Sequence, residues 1–207
     1  MTHFKCKEND NKKKIIAEYD IKPVSHLLLL KGQERAGCCG KLTREYFIFH
    51  TIHKQTKKEG SFMVGESCAK DFLKLSGQNS IPLSNLFQST STTNSGNVVS
   101  GNSTISNSKL AHPLNRLLIE AINFLCASLD KTPQNSILKI LDFTNDNQTN
   151  PNLKGIEFFN NIIYSDLRGV KLTDAFNAIK EENNFKNIDF SPLHEHILSL
   201  NVPSYYM

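Results

Sequence analysis

Two periodicities divide the chain. Between Glu45 and Ile52 the run EYFIFHTI alternates and is built from aromatic and β-branched residues, which predicts a strand. A charged turn through Lys57-Lys58-Glu59-Gly60 follows, the short apolar run Ser61–Val64 predicts the hairpin partner, and Gly65-Glu66-Ser67-Cys68 opens a helix. Upstream, Ile15–Ile21 alternates loosely as a strand, Pro23 breaks it, and Ser25–Leu30 is apolar enough to be buried. Lys5, Lys7 and Lys12-Lys13-Lys14 read as a solvated front.

Beyond residue 111 the period becomes helical. Leu114, Leu117, Leu118, Ala121, Ile122, Leu125, Cys126 and Leu129 form a wide apolar stripe that predicts a central helix over Pro113–Leu129. The dipeptides His112-Pro113, Thr132-Pro133, Asn150-Pro151 and Ser191-Pro192 are start signals. They and the apolar spacing predict further helices over Pro133–Phe143, Pro151–Ser165, Leu172–Glu182 and Pro192–Leu200, packed as an irregular five-helix bundle.

Between the two periodic regions, Ser76–Ala111 turns to Ser, Thr, Asn and Gly, which bury too little apolar surface to offset the entropy of ordering them. The expected organisation is a basic module over residues 1–75, a linker over 76–111 carrying a small apolar island at Ile81–Phe87 able to dock, and a helical domain over 112–207. The fold class is α+β. With 39% hydrophobic residues in 207, the chain can build a modest core, and its longest apolar run, Leu27–Leu30, is far short of the roughly 20 residues a bilayer requires. Five cysteines, two of them adjacent, do not resemble a secreted disulfide framework, and a cytoplasmic location is expected.

Chemistry concentrates between Ala36 and Leu75. A thiolate is favoured where backbone N–H groups converge, as in the tight turn at Cys38-Cys39-Gly40 and in the first turn of a helix at Cys68. Zinc takes four Cys or His ligands in a tetrahedron. Cys38, Cys39 and Cys68 supply three, and the fourth comes from His53, the first choice, or from His50, Cys6 or His26. His50 and His53 are an odd number of residues apart on one strand, so they point to opposite faces.

The order of turn, hairpin and helix resembles the treble-clef or zinc-knuckle proteins of bacteria and their phages, which show C-x-x-C-G and, about thirty residues on, V-G-x-x-C. Cys39-Gly40 and Val64-Gly65-Glu66-Ser67-Cys68 match that pattern, and Ala36 stands where its first cysteine would be. The resemblance covers about one fifth of the chain. It implies a local knuckle, hairpin and helix fold and no particular activity, with a structural Zn²⁺ that is either held by a rearranged set including Cys38 or lost from a fold that keeps the knuckle shape.

Charge suggests a partner. Residues 1–75 carry 15 Lys and Arg against 9 Asp and Glu, whereas residues 113–207 carry 8 against 11. Arg35, Lys41, Arg44, Lys54, Lys57 and Lys58 around the knuckle and turn are candidates for contact with a nucleic-acid backbone. Tyr46, Phe47 and Phe49 would offer a base-stacking surface if one face stayed exposed, and otherwise form the core of a small module. The expected function is therefore a non-enzymatic, zinc-stabilised nucleic-acid-binding protein. One alternative is a protein-interaction adapter, an inhibitor or a subunit of a complex; another is a cysteine-dependent enzyme using Cys68 with His50 or His53 as base. His194 and His196, two residues apart on a helix, diverge too far to share an ion. The chain has no phosphate-binding glycine loop and no G-x-S-x-G.

Overall fold

The structure, a computed structural model, describes residue 4, residues 6–84, residue 86 and residues 111–207. Helix α1 (Asn9–Glu18) leads directly into strand β1 (Tyr19–Leu28), and the two-residue strands β2 (Ala36–Gly37) and β3 (Gly40–Lys41) form a small ladder. Strands β4 (Glu45–His53) and β5 (Glu59–Gly65) form the hairpin, with helix α2 (Glu66–Ser76) following at once. A three-stranded antiparallel sheet has the order β1-β4-β5. The α+β class is as the two periodicities indicate.

The start of the chain departs from expectation. The lysine-rich front folds as α1 because Lys12 and Ile15, one helical turn apart, both turn inward. The strand expected from Ile15 therefore begins only at Tyr19. It also runs through Pro23, since β1 is an edge strand and the register shifts between Pro23 and Ser25, where a missing N–H costs no ladder bond.

The pleat of β4 sends its side chains to two different cores. Tyr46 and Ile48 join a large core with Val24, Leu27 and the helices after residue 112, whereas Phe47 and Phe49 join a smaller one with Phe62, Phe72, Leu73 and Ile15. Phe49, Phe62 and Phe72 stand with ring centroids 5.1–5.8 Å apart. All three aromatics considered for base stacking are buried, Tyr46 and Phe49 completely and Phe47 at 4% exposure, so both faces of the strand are interior. This corrects the stacking option: a strand covered on each side has no ring to offer a base.

Five helices follow: α3 (Pro113–Ser128), α4 (Ser136–Asp146), α5 (Leu153–Asp166), α6 (Leu172–Asn183) and α7 (Ser191–Ser199). Pro113 opens α3, and the His112 side chain accepts a hydrogen bond from the Leu114 N–H; Asn152 does the same for Gly155 at the start of α5. Helix α3 packs against the other four, as its apolar stripe requires. Ser25 Oγ donates to Asn123 Oδ1 at 2.8 Å, tying β1 to α3. The apolar island docks: the Ser84 N–H donates to the His26 carbonyl and the Lys186 N–H to the Leu86 carbonyl, both at 2.8 Å, with Leu86 fully buried. Residues 85 and 87–110, which hold most of the expected linker, lie outside the described residues. No helix among the described residues is long and apolar enough to cross a membrane.

Candidate metal centre

The turn carrying Cys38 and Cys39 is shaped by its glycines. Gly37 pairs with Gly40 across the β2–β3 ladder, and a Cβ on Gly37 would lie 3.0 Å from the Met63 carbonyl oxygen and 2.6 Å from Leu42 Cδ2. Gly40 has φ 131°, a conformation other residues rarely adopt. The Cys38 N–H donates to that same Met63 carbonyl at 2.8 Å, which fixes the turn against β5. The Cys6 N–H in turn donates to the Cys38 carbonyl at 3.3 Å, laying the segment before α1 across the turn.

Three sulfurs meet there. Cys6 and Cys38 are joined by a disulfide with Cα atoms 5.4 Å apart, and Cys39 Sγ lies 3.7 Å from Cys38 Sγ. The Sγ atoms of Cys6, Cys38 and Cys39 all lie within 4.8 Å of one another, close enough to hold a metal ion. Cys68, in the first turn of α2, neighbours Cys39 closely enough for the two thiols to interact. Burial, followed by Cys68, pushes the Cys39 thiol up to about 12. Lys12 Nζ stands 2.6 Å from Asp71 Oδ2 with only 6% of its side chain exposed, in the electrostatic range of both Cys39 and Cys68. Its burial opposes the charged form, but the Asp71 bond and the fields of Cys68, Asp71 and Cys39 outweigh it and hold the ammonium above its ordinary value.

Among the described residues, the candidate histidines His53, His26 and His50 have other partners. His53 ends β4 at the hairpin tip, where its Nδ1 accepts from the Gln55 and Thr56 N–H groups at 3.2 Å and its ring meets Tyr19. Tyr46, at the opposite end, pairs with Gly65 just before α2; seven strand positions separate it from His53, about 23 Å. His53 is therefore not brought to the cysteines, and Cys6 is. His26 stacks on Phe47 at 3.8 Å between ring centroids and has Nε2 3.3 Å from Glu45 Oε2. His50 faces the helices, with Nδ1 2.5 Å from Asp142 Oδ2 and Nε2 4.0 Å from Glu59 Oε2. Lys22 bridges Asp142 at 3.3 Å and Asp146 at 2.5 Å. Burial alone would raise Asp142, but the His50 bond and Lys22 hold its carboxyl below the ordinary value. The sequence gives no signal for this cluster, since α4 is brought to β1 and β4 only by tertiary packing.

The basic residues separate into two groups. Arg35 is 4% exposed: Nη2 donates to the Cys126 carbonyl at 3.0 Å, Nη1 to the Tyr46 hydroxyl at 3.2 Å, and Nε lies 2.6 Å from Asp130 Oδ1. It caps the C-terminus of α3 and does not face solvent, because a guanidinium fork satisfies the last carbonyls of a helix and complements its dipole. Lys41 pairs with Glu34 at 2.5 Å, and Lys54 donates to the Ile16 carbonyl at 2.6 Å. Arg44, Lys57 and Lys58 are exposed. Lys7, Lys41 and Arg44 line a cavity of about 500 Å³ whose wall includes Cys39 and Cys68.

No curated protein and no solved structure matches the chain. A family model with the description Uncharacterised conserved protein UCP028583 matches residues 5–145, a span holding Cys6, Cys38, Cys39 and Cys68, the whole sheet and the first two helices that pack on it, and the chain belongs to that family.

Proposed function

We propose that this is a non-enzymatic binding protein whose sheet is clamped by one structural zinc ion in a four-cysteine site formed by Cys6, Cys38, Cys39 and Cys68. The observation that carries this reading is the convergence of Cys6, Cys38 and Cys39 within 4.8 Å, with Cys68 on the wall of the cavity that Cys39 also lines. Zn–S bonds of about 2.3 Å in a tetrahedron place neighbouring sulfurs about 3.8 Å apart, and Cys38 and Cys39 are already at 3.7 Å. Reduction of the Cys6–Cys38 bond supplies the remaining ligand atoms. Four thiolates on Zn²⁺ would leave a net charge of −2, and Lys12, held almost inaccessible by its bond to Asp71 and within electrostatic range of Cys39 and Cys68, would offset part of that charge.

The partner proposed is nucleic acid, met through phosphate by Arg44, Lys57 and Lys58, with Lys41 and Lys54 at the margin and Arg35 excluded by its burial. A protein adapter is the second reading, and it is favoured by Phe158, Tyr164 and Leu198, which are 62%, 53% and 50% exposed on the helices. Elemental analysis of chain purified under reducing conditions without affinity metal tests the first claim: one zinc per chain is expected, and its absence rejects the site. Salt titration of nucleic-acid binding separates the partners, since phosphate contacts release counterions and make affinity fall steeply with salt.

A further inference from the structure

The cysteine group has two mutually exclusive chemical states. Sulfurs joined to each other as Cys6 and Cys38 are here cannot also act as thiolate ligands, yet both belong to the group that is close enough to hold a metal. Resting on the four-cysteine reading above, we propose that the centre is a redox-gated metal site: a hydroperoxide oxidises Cys6 and Cys38 to a disulfide and expels the ion, and reduction restores it.

The step balances. Two thiolates, Cys6 and Cys38, lose two electrons and form the S–S bond; the hydroperoxide takes up those electrons and two protons, its O–O bond breaks, and an alcohol and water leave. The freed Cys39 and Cys68 thiolates take up two further protons, and M²⁺ departs. Two sulfurs alone leave half of the tetrahedron unfilled, so the ion is not retained.

The fold selects which pair closes. The backbones of Cys6 and Cys38 are tied by a hydrogen bond at 3.3 Å and their Cα atoms are 5.4 Å apart, within the range a disulfide spans. Cys38 and Cys39 are neighbours in the chain, and joining them would close a ring through one peptide bond in a turn already fixed by Gly37 and Gly40. Oxidation also changes what the centre holds together. In the metal state the N-terminal segment, the turn and the start of α2 are all cross-linked; in the disulfide state the first two remain joined and Cys68 is released. The released sulfur lines the cavity that Lys7, Lys41 and Arg44 border, so the switch acts at the basic rim.

The test uses the full reduced chain loaded with zinc, treated with one equivalent of hydrogen peroxide beside a chromogenic zinc chelator. The expected result is one zinc released per peroxide consumed, a fall in titratable thiols from five to three, Cys6–Cys38 as the bond found by peptide mapping, and zinc rebinding after phosphine reduction. Cys126→Ser, which alters a buried thiol away from the group, should release zinc in the same way with thiols falling from four to two. Zinc retained after the Cys6–Cys38 bond has formed, or lost with a Cys39–Cys68 bond instead, overturns the switch while leaving the zinc site standing. A reduced chain that never takes up zinc overturns both.

Discussion

Arg35 is the side chain whose removal distinguishes an interior role from a surface one. In Arg35→Met the charge-assisted donation to the end of α3 is lost, worth about 1.5–3 kcal/mol, and the buried Tyr46 hydroxyl loses its donor at a cost of about 1–2 kcal/mol. The ion pair to Asp130 adds less than about 1 kcal/mol because that carboxylate is exposed. No carbonyl is stranded: Cys126 keeps the Lys131 N–H at 3.0 Å, and Ala127 keeps the Gln33 amide at 2.9 Å. The loss should therefore be near the lower end of that sum, about 3 kcal/mol. At about 2–4 °C per kcal/mol for a chain of this size, the midpoint should fall by about 6–12 °C. Thermal unfolding followed by far-ultraviolet circular dichroism and by tyrosine emission is the assay, because the chain has no tryptophan and Tyr46 stands beside the guanidinium. Both signals should shift together, since Arg35 joins the sheet to α3. A loss below about 1 kcal/mol, or a drop in nucleic-acid affinity at unchanged stability, would refute the placement of this residue inside.

The remaining predictions concern the metal, the partner, the acid cluster and the linker. Cys39→Ser with Cys68→Ser should abolish zinc uptake and loosen the segment before α1, read by elemental analysis and hydrogen exchange; full zinc in that variant refutes the ligand set. Lys54, Lys57 and Lys58 changed together to Glu should weaken nucleic-acid binding and flatten its salt dependence by about one contact for each lysine that touches phosphate, and equal binding removes the hairpin tip from the interface. The Asp142 carboxyl is held below its ordinary 3.8, so its contribution is present above that value and is lost as pH falls through the lower folded value. Asp142→Asn should accordingly lower stability at neutral pH and narrow its gap from the parent in acid, and a gap constant down to pH ~2 contradicts the ion pair. Limited proteolysis should cut between about Gln88 and Asn107, a stretch chosen for its polar composition, and cleavage elsewhere first rejects the proposed linker.

Local chemistry made much of the architecture readable. The alternation in Glu45–Ile52, the charged turn and the apolar Ser61–Val64 specify a hairpin because a pleated strand repeats every two residues, and the stripe from Leu114 to Leu129 specifies α3 because a helix repeats every 3.6. Gly65 through Cys68 marked the start of α2, and the Cys38-Cys39-Gly40 turn marked one wall of the cysteine group, since tight turns and helix starts are written in a few adjacent residues. Partnership across the chain was not written there. His53 suits zinc by residue type, but a strand converts seven residues into about 23 Å and carries it to the wrong end of the hairpin. Cys6 reaches the turn because α1 forms where only a lysine run was visible and returns the N-terminal segment to the sheet. Arg35 is one more basic residue beside a cysteine turn until α3 places its final carbonyls against it. Periodicity records how each segment meets its own neighbours; which segments then share a site depends on contacts between residues that are far apart in the chain, and only the folded structure decides those.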